Sequence, residues 1–393
     1  MTQSHLPETI VGILQELKSS EKEFLALHEP SFQMNEWNYV KECLDTGWVS
    51  SVGKYVDQFE SMLQEYTGAK RAVAVVNGTA ALHISLLLVG VQANDEVLIP
   101  SLTFIATANA VSYCGAIPHF VDSQERTLGL DSGKLSSYLE EIAVVRPEGC
   151  FNKHTGRRIK AVVPMHTFGH PIELDTLLEV CERYQIELVE DAAESLGSYY
   201  KGKHTGNWGK VSALSFNGNK IITTGGGGAI LTNDQKLGEM AKHLTTTAKI
   251  KHQWAFIHDQ VGYNYRLPNI NAALGCAQME SLSFFVEQKR RLAERYKDVF
   301  AKIPGVTFFT EPPFAKSNYW LNAILLDEAM TCYRDELLEV SNKAGVMTRP
   351  VWSLLHELPM YKQCPKMDLS VALSLEKRIV NIPSSSFLGE RSC

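Results

Sequence analysis

Between residues 35 and 270 the chain alternates short apolar runs with segments whose apolar residues recur every three or four positions. The runs fall at 72–76, 97–100, 117–121, 161–165, 187–191, 211–216 and 229–232; the periodic segments fall at 55–67, 79–89, 105–113, 174–184 and 237–245. Nearly continuous apolar runs are what strands covered on both faces require, and their alternation with helices predicts an α/β domain with a largely parallel sheet. Ahead of it, residues 1–26 read as one amphipathic helix carrying Ile10, Ile13, Leu14 and Leu17, with a charged tail at 18–23. Residues 140–160 are polar and turn-rich, and are expected to be an excursion between core elements. After Arg266-Leu267-Pro268 a helical pattern runs from 269 to about 303, with strand and helix signals beyond it. The expected division is an N-terminal helical segment (1–34), a large α/β domain (35–268) and a smaller C-terminal α+β domain (269–393) joined by the long helix.

Composition changes this picture little but excludes several functions. The chain has 393 residues, 45% hydrophobic and 21% charged, with a net charge of −6. That charge leaves no basic footprint, so nucleic acid is not an expected partner. Met1–Pro7 has neither a basic region nor a long apolar run, so no signal peptide is expected. The apolar stretch 80–91 is interrupted by His83, Ser85 and Gly90 and is too short to cross a membrane. The 8 cysteines form no Cys-x-x-Cys pair and are expected to be reduced thiols in a cytoplasmic protein. His166 and His170 stand four apart, but Pro171 follows and no third ligand is apparent, so no metal site is expected. Asn77-Gly78-Thr79 matches a glycosylation sequon, which without secretion is only a turn.

The polar residues that carry chemistry gather where the predicted strands end, which in an open α/β sheet is where ligands bind. Asp191 closes one run, and Lys220 follows the next. A lysine can form a Schiff base with the aldehyde of pyridoxal 5′-phosphate, and a buried acid can pair with the pyridinium nitrogen of that cofactor. Glu194, one helical turn past Asp191, is within reach of the cofactor ring hydroxyl; a first-turn acid on a helix is its plainer reading. Val76 to Leu82 reads as strand, glycine turn and helix start, so free N–H groups and the Thr79 hydroxyl are suited to a phosphate. Thr79 serving only as an N-cap is the competing reading. Ser215 offers another hydroxyl or is a buried strand serine, and Phe104 is either a stacking partner for a planar ring or a core aromatic. The segment 262–268 reads as a loop and by composition alone carries no chemistry.

Together Asn77 to Leu82, Pro100 to Phe104, His166 to Gly169, Glu190 to Glu194, Ser215 to Lys220 and Gly262 to Arg266 resemble the DegT/StrS-type sugar aminotransferases, which are fold-type I pyridoxal phosphate enzymes. The resemblance covers residues 27–383. It implies that Lys220 is the Schiff-base lysine and proton shuttle, that Asp191 pairs with the ring nitrogen, and that Glu194 meets the ring hydroxyl. It further implies that Gly78, Thr79 and Ser215 hold the phosphate and that Phe104 lies against the ring. Asn264 is implied to reach the phosphate of a neighbouring subunit, so a homodimer with a shared cofactor site is expected. His166, Arg349, His356 and Tyr361 are implied to contact the sugar. Within the family, Trp48 to Gly53, the glutamate of Glu190-Asp191-Ala192-Ala193-Glu194 and Ser-Phe-Asn-Gly-Asn-Lys look like the bacillosamine and legionaminic acid branch. That points to L-glutamate as donor and a UDP-linked 2-acetamido-2,6-dideoxy-4-keto hexose as acceptor. A GDP- or dTDP-linked keto sugar is the alternative acceptor, and a non-catalytic sugar-nucleotide sensor is the alternative of another class. Related sugar dehydratases carry histidine where Lys220 stands, and no Gly-x-Gly-x-x-Gly opens a helix as a Rossmann dehydrogenase would need.

Overall fold

The computed structural model describes residues 5–17 and 23–390. Its main sheet is nine-stranded, and its spine is formed by β1 (Arg71–Val75), β2 (Glu96–Pro100), β3 (Ile117–Val121), β4 (Arg158–Val162), β5 (Glu187–Asp191), β6 (Val211–Ser215) and β7 (Gly228–Thr232). The spatial order is β1-β7-β6-β5-β4-β2-β3. β3, β2, β4, β5 and β6 run parallel; β7 is antiparallel to both β6 and β1. Val97, Leu98 and Ile99 in β2, and Ala229, Ile230 and Leu231 in β7, are buried on both faces, as the uninterrupted apolar runs require.

Helices α1 (Gly78–Leu88), α2 (Ile105–Tyr113) and α3 (Leu174–Tyr184) follow β1, β2 and β4 respectively. Their short entry turns put the first turns of α1 and α2 at the carboxyl edge of the sheet. The strand expected at 161–165 lies instead at Arg158–Val162. Pro164 has no N–H to donate, so the regular ladder stops there, although Met165 still bridges to Asp191. The 140–160 excursion is partly ordered: strands Ala143–Arg146 and Gly149–Asn152 form an antiparallel hairpin whose second strand pairs with β4.

The front of the chain departs from the single helix expected over 1–26. The helix spans only Leu6–Gln15, and part of the charged tail, 18–22, lies outside the described residues. By Leu25 the backbone bridges to Val346 in strand fashion, which is incompatible with a helix reaching 26. Helix α4 (Asn269–Phe300) runs 32 residues without a break and ends at Phe300, slightly short of the expected 303. Its early residues Ala272, Ala273 and Cys276 pack with Phe216 and Leu214 of the main sheet. Leu292, Tyr296 and Phe300 pack with Ile10, Leu14 and Ile324 near a four-stranded antiparallel sheet of Val306–Phe308, Asn322–Leu326, Ile379–Ile382 and Arg349–Pro350. Midway along α4, the fully buried Lys289 donates to the backbone carbonyls of Trp320, at 3.0 Å, and of Ser384. Among the described residues no acid pairs with it, and burial pushes its pKa well below the usual lysine value. The effect is to pin the backbone of Trp320, whose indole lines the site described next. Among the described residues no helix is long and apolar enough to cross a membrane.

Candidate active site

A cavity of about 400 Å³ opens at the carboxyl ends of β1, β5 and β6. Gly78, Thr79, Phe104, Asp191, Glu194, Ser215 and Lys220 all line it. A comparable hollow of about 420 Å³ takes in Trp48, Val52 and Gly53 of the 48–53 motif, but its lysine, Lys54, is paired with Glu42 at the exposed surface.

One end of the cavity suits an anion. Asn77 caps α1, its side-chain oxygen accepting the Ala80 N–H at 2.8 Å, so the expectation that Thr79 is the cap gives way to Asn77. The first-turn N–H groups of Gly78 and Thr79 have no intrahelical acceptor and face the cavity with the helix dipole behind them. Backbone crowding explains the glycines around this turn. A Cβ on Gly78 would stand 2.8 Å from the Ser215 Cβ, and one on Gly228 would stand 2.5 Å from the Asn77 carbonyl carbon. Only glycines let β1, β6 and β7 close so tightly around the turn, leaving the Thr79 and Ser215 hydroxyls beside free N–H groups.

The other end is acidic and buried. Asp191 ends β5, with Oδ1 accepting the Ala193 N–H at 3.2 Å and Oδ2 accepting the Thr107 hydroxyl at 2.7 Å. Burial pushes its pKa up, opposed by those two donors and by the nearby Lys220 and His166. Among the described residues no cation bonds to it, so it lines the cavity without a charged hydrogen-bond partner. Glu194 Oε2 accepts the Phe168 N–H at 2.9 Å, and Oε1 accepts Lys220 Nζ at 3.1 Å. Burial raises the Glu194 pKa to about 7, while Lys220 and the Phe168 N–H pull it down. Lys220 Nζ also sits 3.8 Å from the centre of the Trp320 ring, whose Nε1–H donates to the Asn219 carbonyl at 2.6 Å. Between the two ends lies Phe104, 48% exposed, its ring edge-on to Trp352 at 6.3 Å.

Other expected site residues lie elsewhere. His166 was expected to touch substrate, but it is fully buried: Nε2 donates to Glu190 at 3.1 Å, and Nδ1 accepts the Ile172 N–H at 3.4 Å. With both nitrogens committed, it braces Glu190, which in turn accepts the N–H groups of Gly206, Trp208 and Gly209. His356 is buried against Ser101 at 2.8 Å, and Tyr361 is buried with its hydroxyl donating to Asn109 at 2.7 Å. Arg349 is exposed and donates to Asn342 at 3.1 Å. None of these lines the cavity; from their part of the chain Trp352 does. Asn264 is exposed and also outside it, bridging to Thr246. Trp320, Trp352, Asn219 and Thr107 were not singled out by sequence. Thr103 and Thr107 stand four apart, but Thr103 precedes α2, and a lone hydroxyl in a first helical turn is no signal of chemistry.

The anion-binding turn, the exposed aromatic, the uncompensated buried acid and the lysine amine match, in order, a phosphate, a planar ring, a ring nitrogen that gains charge by protonation, and an aldehyde. These residues fit pyridoxal 5′-phosphate. A model of the DegT/DnrJ/EryC1/StrS aminotransferase family matches residues 30–392. The chain belongs to this family. Among its curated relatives, a GDP-perosamine synthase of Caulobacter vibrioides is 37% identical over 93% of this chain and 94% of its own length. The putative pyridoxal phosphate-dependent aminotransferase EpsN of Bacillus subtilis is 36% identical, covering 93% and 92%. Among solved structures, the aminotransferase PseC of Helicobacter pylori, involved in the biosynthesis of pseudoaminic acid, superposes with a TM-score of 0.83 at 26% identity, over 92% of this chain and 94% of PseC.

In this aminotransferase Glu194 gives a pH dependence whose sign follows from its burial. A carboxyl held at about 7 in the folded protein, against an unfolded value of ~4.3, favours folding while protonated. That contribution is complete below the unfolded value and is lost as pH rises through about 7. Glu194→Gln cannot ionise. The apoprotein variant should therefore gain on the wild type between pH 5 and pH 8, by up to about 3 kcal/mol. Thermal melts of both proteins across that range check it; a constant difference in Tm would show that Glu194 does not titrate there.

Proposed function

We propose that this aminotransferase transfers the amine of L-glutamate to C4 of a GDP-linked 4-keto-6-deoxyhexose, with pyridoxal 5′-phosphate as cofactor. What carries the acceptor assignment is the naming of relatives aligned over nearly their whole length: the Caulobacter protein, and further ones from Escherichia coli O157:H7 and Vibrio cholerae at 36% and 34% identity, are called GDP-perosamine synthase. The UDP-linked 2-acetamido sugar of the bacillosamine and legionaminic acid branch, expected from short motifs, has less support than the GDP-linked sugar these names point to.

Bound pyridoxal phosphate supplies an aldehyde that takes up an amine and a ring that stores the electron pair released at the neighbouring carbon. The remaining work falls to this chain's side chains. Gly78, Thr79 and Ser215 bind the phosphate, Phe104 covers one ring face, Asp191 meets the ring nitrogen and Glu194 the ring hydroxyl. Lys220 would hold the aldehyde carbon, and its Nζ would take and return the proton at the donor α-carbon. Trp320 and Glu194 give its freed ammonium a resting place. Trp320 and Trp352 wall the outer cavity, where the sugar enters. Asn264 lies outside the cavity of its own chain, beside a hairpin that exposes Trp254 (75%) and Phe256 (82%). These features support a homodimer in which Asn264 serves the partner's site. The three-part division at 34 and 268, with α4 as the connecting helix, belongs to the same proposal.

The test follows the visible band of the bound cofactor. L-glutamate should bleach it, a GDP-4-keto-6-deoxyhexose should restore it, and UDP-4-keto-6-deoxy-N-acetylglucosamine should leave it bleached. Restoration by the UDP sugar alone would overturn the acceptor assignment; failure of glutamate to bleach the band would overturn the donor.

A further inference from the structure

Phe104 and Thr107 enter the site from one short stretch. Phe104 is the residue before α2 and lines the cavity; Thr107 lies in the first turn of α2 and points behind it, to Asp191. The Thr107 oxygen is 3.2 Å from the Thr103 hydroxyl, which in turn is 2.8 Å from the Met165 sulfur. Thr103, Thr107, Met165 and Asp191 are all buried, and of the four only Met165 and Asp191 line the cavity. A hydroxyl has one proton. That of Thr107 is committed to Asp191 Oδ2, so Thr103 can donate to Thr107 or to the sulfur but cannot draw the Thr107 proton away. Lys220, His166 and Glu194 act on the Asp191 carboxylate through space, and among the described residues none of them hydrogen-bonds to it. Among the described residues its one other donor is the Ala193 N–H, longer at 3.2 Å.

We propose that Thr107 is a positioning residue whose hydroxyl fixes the plane of the Asp191 carboxylate and holds it as the anion, keeping the proton it shares with the cofactor on the ring nitrogen. The proposal rests on the cofactor assignment above. The reason is the direction of the bond. A donor on the carboxylate oxygen lowers its basicity, and in a buried acid–base pair the shared proton resides on the more basic partner. Without that donor Asp191 becomes more basic and freer to turn, and the proton moves toward oxygen. The ring then loses the positive charge that makes it an electron store.

Thr107→Val keeps the shape and removes the hydroxyl; Thr107→Ser keeps the hydroxyl. In the holoenzyme loaded with cofactor labelled at the ring nitrogen, the Thr107→Val nitrogen resonance should move toward the unprotonated position. Its kcat should fall about tenfold, as loss of a bond to a charged group implies, while KM for L-glutamate stays within about twofold. Thr107→Ser should restore both the resonance and kcat. An unchanged resonance in Thr107→Val, or a Thr107→Ser enzyme as impaired as Thr107→Val, would overturn the proposal, because a packing role alone predicts no shift in nitrogen protonation. Should the wild type take up no cofactor, the cofactor assignment fails by itself. The carbon-13 titration of Asp191 in the apoprotein then decides: its pKa should rise by about one in Thr107→Val, and no rise refutes the role of Thr107.

Discussion

Lys220→Ala should bring amine transfer to a halt, with kcat down at least about a thousandfold. Lys220 is the cavity's lysine, placed between the Glu194 carboxylate at 3.1 Å and the Trp320 ring at 3.8 Å. In the proposed reaction it has two tasks that no neighbour can assume: bonding to the cofactor aldehyde, and carrying a proton between two carbons. Glu194 is close enough to accept a proton, but the Phe168 N–H at 2.9 Å fixes its other oxygen and keeps its carboxyl from travelling. Two measurements separate the tasks. Borohydride reduction of the holoenzyme should fix the cofactor mass on the wild type and not on the variant. Steady-state transamination should be lost even when the variant is saturated with cofactor. Turnover within tenfold of the wild type would end the assignment of Lys220.

Asp191→Asn should be the next most damaging change, lowering kcat by about a hundredfold to a thousandfold. Asp191 is 2% exposed and is held by the Thr107 hydroxyl and the Ala193 N–H. An amide of nearly the same shape fits, but it carries no charge to match a protonated ring nitrogen. Its NH2 group must also face one of two existing donors. The apoprotein pays no comparable penalty, since burial already works against the ionised acid. The expected pattern is therefore an intact fold with a defective holoenzyme: Tm of the apoprotein unchanged or raised, cofactor bound more weakly, kcat low. A variant that kept full activity would show that Asp191 does not face the ring nitrogen. One that failed to fold would show that its role is structural.

The parts of this molecule readable from sequence are those carried by local periodicity and strand-end chemistry. Buried parallel strands need apolar runs, and β2, β5 and β7 fall where those runs lie. Ligands in such a sheet gather at the strand ends, so Gly78, Thr79, Asp191, Glu194, Ser215 and Lys220 were candidates in the sequence, and the structure places all six in the lining of one cavity. The departures from expectation share a cause: they concern residues whose environment comes from distant chain. His166 looks like a ligand-contacting histidine until Glu190 and the Ile172 N–H occupy both its nitrogens. His356 is held by Ser101, which is 255 residues away in sequence. The segment near residue 25 leaves the helix because it pairs with Val346. Trp320 reaches Lys220 across 100 residues of sequence, with its backbone pinned by the buried Lys289. Thr107 finds Asp191 because β2 and β5 flank β4 in the sheet. By itself the sequence determined the sheet, its helices and the placement of a lysine and an acid at neighbouring strand ends, because periodicity and turn residues act over a few neighbours. Only the tertiary structure decided which polar groups are spent on the fold and which remain free for a ligand, because a hydrogen bond or a buried charge is satisfied by whatever the folded chain places beside it.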